Sequence, residues 1–125
     1  MPFQLSHTPL REYLEVQLHV QIVPERELEE ALERWGQVAA LCRTHQQTRV
    51  LVVMEFTGTH DTEIKFRLAK GASDIGWSYE LKLAVVISDI LHFNEQLFTE
   101  TAMNALGYEM KLFPKYRKAR KWLLA

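Results

Sequence analysis

Hydrophobic and polar positions divide the chain into stretches of two different periods. From Glu12 onward the alternation is strict: Leu14, Val16, Leu18, Val20 and Ile22 point one way, and Tyr13, Glu15, Gln17, His19 and Gln21 the other. Period two describes a strand with one covered and one wetter face. It suits a place near a sheet edge, paired antiparallel with a short strand over Phe3–Thr8 and turning at Pro9. Arg49 to Phe56 behaves differently. Val50-Leu51-Val52-Val53-Met54 is a continuous apolar run, which reads as a central parallel strand buried on both faces. Leu83 to Ile87 is a second such strand, and Tyr108 to Phe113 a last short one.

Spacings of three and four fill the intervals. Pro24 fits a first helical position, where its missing N–H costs nothing. Leu28, Ala31, Leu32, Trp35, Val38, Ala39 and Cys42 follow as an apolar stripe. Glu25, Glu27, Glu29 and Glu30 crowd the opening turns, where the helix dipole favours acids. Gly36 lies inside this helix and suits close contact with the sheet. A second helix starts between Thr59 and Asp61, with Ile64, Leu68, Ala72 and Ile75 as its stripe and Gly76 as its stop. Ser88 or Asp89 caps a third, with Ile90, Phe93, Leu97, Ala102, Ala105 and Leu106 as core positions and Gly107 at its end. Pro114 opens a last helix carrying Tyr116, Ala119, Trp122 and Leu123.

Strands alternating with helices after an initial hairpin indicate an α/β fold: a mixed, mostly parallel sheet of four or five strands with about four helices packed on it. With no linker, repeat or low-complexity stretch, residues 1–125 read as one domain. A hydrophobic fraction of 47% and a charged fraction of 25% are ordinary for a globular protein. A net charge of −1 gives no whole-chain attraction to nucleic acid, and no apolar run reaches the length for membrane insertion. One cysteine, Cys42, and an opening Met1-Pro2-Phe3-Gln4 without a signal-peptide pattern lead to the expectation of a cytoplasmic protein.

The segment Gly107-Tyr108-Glu109-Met110-Lys111-Leu112-Phe113, followed by Ala119 and Trp122-Leu123, resembles the closing strand and helix of STAS-like domains. It is most similar to the SpoIIAA-like group, named after a bacterial anti-sigma factor antagonist, and the order of elements matches over nearly the whole chain. The resemblance implies a non-enzymatic regulatory or binding module. Classical antagonists carry Asp-Ser-x-Gly after the central strand, with the serine phosphorylated by a partner kinase. Here that place reads Thr57-Gly58-Thr59-His60-Asp61, so the serine is missing and Thr57 or Thr59 would have to replace it. Capping already accounts for both threonines.

Ligands in such folds bind outside the carboxyl ends of the strands. That rule gathers Thr57, Gly58, Thr59, His60 and Asp61 from one loop with Ser88, Asp89, Leu91 and His92 from the next. His92 and Glu95, like His60 and Glu63, are three apart and could share a helix face, but neither spacing is a metal signature. No cofactor motif appears. Cys42 lies on an apolar stripe and reads as core, and the basic run from Lys111 to Lys121 as a solvated helix face. The third helix holds more apolar residues than one stripe requires, with Leu91 and Phe98 off its main face. Excess apolar surface points to a protein partner, a homodimer or a pocket for a small apolar ligand. The expected function is therefore recognition through protein contacts. The alternatives are a carrier or sensor of a small apolar or amphipathic ligand and, more weakly, a small hydrolytic or transfer enzyme using His60 or His92.

Overall fold

Five strands, β1 (Phe3–Pro9), β2 (Leu14–Gln21), β3 (Arg49–Thr57), β4 (Lys82–Val86) and β5 (Glu109–Phe113), form one sheet in the spatial order 1-2-3-4-5. The structure is a computed structural model, and it describes residues 3–58 and 62–125. β1 runs antiparallel to β2, from Phe3 opposite Val20 to Pro9 opposite Leu14; the other three pairings are parallel. The helices are α1 (Glu27–Thr44), α2 (Thr62–Lys70), α3 (Ile90–Ala105) and α4 (Tyr116–Leu123). The architecture is thus the expected α/β one, with a mixed, mostly parallel sheet.

Each parallel step moves one strand in the same direction, so right-handed crossovers place α1, α2 and α3 on one face. The packing agrees. Val16, Leu18, Val50, Val52, Leu83 and Val85 share one core with Val38 and Ala39 of α1, Ala69 of α2 and Met103 of α3. Leu51, Ala84, Val86 and Phe113 point the other way, against Ala119 and Leu123 of α4. β3 is buried on both faces because it has helices on both, as its unbroken apolar run requires.

Several sequence expectations need correction. Tyr13, placed on the wetter face of its strand, is buried because α4 covers it. Its hydroxyl lies 2.5 Å from that of Tyr116, which donates in turn to Glu15. On α1 the buried positions are Glu27, Glu30, Ala31, Arg34, Val38, Ala39 and Cys42. The stripe is turned toward charged residues in its first half, because Glu27 and Arg34 neutralise each other. Gly36 contacts Ile75 rather than the sheet, with 3.6 Å available to a Cβ. The α2 stripe does not run unbroken to Ile75: the α-helix ends at Lys70 and a 3-10 turn spans Ser73–Ile75 before Gly76 at φ 103°. On α3 the buried residues are Gln96, Thr99 and Met103, whereas Ile90, Leu97, Ala105 and Leu106 are exposed. Thr99 donates to Gln96 Oε1 at 3.0 Å, so this polar pair can enter the interior satisfied and leave large aliphatic groups outside. No helix among the described residues is long and apolar enough to cross a membrane.

Candidate functional site

The parallel strands deliver their carboxyl ends, and the first turns of α1, α2 and α3, to one end of the molecule. β3 leaves the sheet through Gly58 at φ 96°, where a Cβ would sit only 3.1 Å from that of Ile22. Both the left-handed backbone and the close approach require glycine there. The Gly58 carbonyl accepts a hydrogen bond from His92 Nε2 at 2.8 Å. His92 Nδ1 lies 3.0 Å from Asp89 Oδ2, and Asp89 Oδ1 accepts the Leu91 N–H at 2.9 Å as the cap of α3. The imidazole also stacks on Phe56 of β3, with centroids 5.4 Å apart and planes 23° from parallel.

This arrangement selects a protonation state. A carbonyl and a carboxylate both accept, and a neutral imidazole has only one N–H to give. The imidazolium satisfies both. Burial alone would lower the His92 pKa, but the bonds to Gly58 and Asp89, with the charges of Asp89 and Glu95, outweigh it and leave the pKa raised. The Asp89 pKa is lowered, first by the His92 bond and then by the Leu91 N–H. The Asp89–His92–Gly58 chain is therefore an ionic clamp between the end of β3 and the start of α3. With both ring nitrogens engaged, His92 has no free position from which to exchange a proton with a substrate.

Buried charges support this end of the fold from below. Arg34 Nη2 is 2.6 Å from Glu27 Oε2, and both side chains are fully buried. Lys65 of α2, also buried, donates to the Glu95 carbonyl at 2.8 Å with Glu95 Oε1 at 3.8 Å. Glu95 thus ties α2 to α3 through its carbonyl, while its charge also favours the His92 imidazolium. These charges were not recognised from sequence; the available signal was the seven-residue spacing of Glu27 and Arg34, which sets them two turns apart on the face that continues into Val38.

Of the residues expected in the site, Gly58, Asp89 and His92 are brought together. Thr57 and Ser88 are exposed beside them. Thr59, His60 and Asp61 lie outside the described residues, and so do the second-helix caps and the pairing of His60 with Glu63. Among the described residues no group of three or more His, Cys, Asp or Glu side chains could hold a metal. Cys42 is buried, and burial pushes its thiol up to about 11, only partly opposed by Arg43.

Directly after the clamp, α3 presents apolar side chains to solvent. Leu91 is 75% exposed, Ile90 64%, Phe98 40% and Leu97 37%. They form two pairs seven residues apart, Ile90 with Leu97 and Leu91 with Phe98, along one side of the helix. Leu91 and Phe98 are where the sequence placed them; Ile90 and Leu97, assigned to the core, join them. Beneath the helices the interior is tight. The space among Trp35, Leu68, Ile75, Trp77, Met103 and Met110 is about 30 Å³, room for a water molecule rather than an acyl chain. Comparison with protein-family models and with curated proteins returned no match.

Proposed function

We propose that the chain is a non-enzymatic regulatory or binding module of the STAS-like kind, acting through protein contacts in a reducing, cytoplasmic setting. Its docking surface is the outward side of α3, from Ile90 to Phe98, beside the turn that follows β3. The observation that carries this reading is the exposed apolar stripe of Ile90, Leu91, Leu97 and Phe98. Aliphatic and aromatic groups left in solvent on one element are the usual mark of an interaction surface. The clamp adds pre-organisation: it ties the stripe to the turn after β3, so a partner meets a formed surface and less ordering entropy opposes docking. Buried, unpaired Cys42 is in keeping with a reducing compartment.

The test is affinity capture from the source cell with the wild-type chain, Leu91→Asp and Phe98→Asp. Both variants should lose the captured species while their melting temperatures stay near wild type, since exposed substitutions shift stability by only about 0.5 kcal/mol. A species retained equally by all three chains would place the contact elsewhere.

A further inference from the structure

The two edges of the sheet are finished differently. On β5, the outward N–H of Met110 donates to Asn104 Oδ1 at 3.3 Å, and that of Leu112 to Glu100 Oε1 at 2.9 Å, so side chains of α3 cap that edge. Among the described residues β1 has no such cover. The Leu10 N–H donates to the Tyr13 carbonyl at 3.0 Å, which makes that pair a hydrogen-bonded one. Antiparallel pairs alternate, so the even residues of β1 bond to β2 and the odd ones turn their N–H and C=O outward. Pro9 is odd, and its missing N–H is missing on the open side. Phe3, Leu5 and His7 therefore direct backbone donors and acceptors away from the sheet, with no partner among the described residues.

Apart from Pro9 at its end, the chemistry around this edge is equally unguarded. Edge strands are commonly protected by charges, lysine above all. In a chain with 25% charged residues, β1 (Phe-Gln-Leu-Ser-His-Thr-Pro) holds no Lys, Arg, Asp or Glu. Beside it runs an open, mainly apolar groove of about 320 Å³ lined by Leu5, His7, Gln37, Ala40, Leu41 and Thr44, again without a charge.

We propose that the β1 edge is a self-association surface whose occupant is a second copy of this chain, paired antiparallel about a two-fold axis at Leu5. The outward set is self-complementary on that axis: Leu5 meets Leu5 of the second copy, and Phe3 meets its His7. Each is a hydrogen-bonded pair, giving about six backbone bonds and a continuous sheet across both copies. The Leu5–Leu41 strips of the two grooves come side by side, and no like charges are brought together on β1. This surface is separate from the α3 stripe and leaves it free.

Sedimentation of the full chain across a concentration series tests the proposal, because dimerisation follows mass action. The wild type should approach twice the 14.6 kDa chain mass at roughly 100 μM. His7→Pro removes one outward N–H and leaves the β1–β2 ladder intact, and Leu5→Lys introduces a guarding charge. Each should weaken the dimer at least about tenfold while keeping a cooperative circular dichroism melt at a dilution where the wild type is also a single chain. If His7→Pro fails to fold, Leu5→Lys alone decides. A wild type that stays at one chain mass overturns the proposal, as does a dimer that survives a folded variant or one that dissolves only with Leu91→Asp.

Discussion

His92 holds two acceptors with two ring nitrogens, and its charge state sets the strength of the link between β3 and α3. Because its folded pKa is raised above the ordinary 6.5, its contribution is fully present below that value and is lost as pH rises through the folded pKa. Asp89, lowered from 3.8, contributes above that value and loses its share as pH falls through its own folded pKa. The clamp is therefore fullest between about pH 4 and 6.5. Thermal melts should show wild type losing more stability than His92→Gln between pH 6 and pH 9; parallel curves would mean the ring is not charged in the folded state. Glu27 and Arg34 supply a second residue-scale expectation. Arg34→Ala takes the guanidinium away from a fully buried carboxylate and should cost about 3–5 kcal/mol in chemical denaturation. At this scale Gly58 as a turn and Asp89 as a cap were legible, because backbone geometry restricts the residue types there. The buried charges were not, since a glutamate in the first turn of a helix serves an exposed dipole role and a buried ionic one with the same letter. Cys42 was legible for the converse reason: it sat among small apolar residues and packs as one of them.

Among the elements, α3 departs furthest from its expected form. Its apolar content was visible in the sequence, but which side faced the sheet was not. Phe93 and Ala102 pack against the core as expected, but the side that carries Ile90 and Leu97 competes with the one through Gln96, Thr99 and Met103, and hydrophobicity alone favours the wrong one. The polar face is buried because Gln96 and Thr99 satisfy each other, while Glu100 and Asn104 are needed at the β5 edge. That second duty predicts that Glu100→Ala costs about 1 kcal/mol for the lost bond to Leu112 and uncovers a strand edge. Light scattering on gentle heating should show earlier aggregation than wild type; an unchanged onset would mean the edge is protected by other means. The strands were read well because their two apolar periods are distinct: β2 is covered on one face through most of its length and β3 on both.

For the whole molecule, the order of the strands follows from right-handed crossovers between neighbours, which send three helices to one face and leave α4 alone on the other. The period of the sequence announced the α/β class, yet it could not say that α4 would cross over and bury Tyr13, because that contact joins residues 103 positions apart. The same layout gathers the carboxyl ends of the strands, the clamp and the exposed stripe of α3 at one end, away from the open β1 edge. The docking site proposed for another protein lies at this end. A photo-crosslinking amino acid placed in turn at Phe98, at Leu91 and at Lys118 on the far face, in the source cell, tests it most directly. A discrete protein adduct of the same mass is expected from positions 98 and 91 and none from 118. Equal adducts from all three positions, or none from the α3 positions, would contradict it.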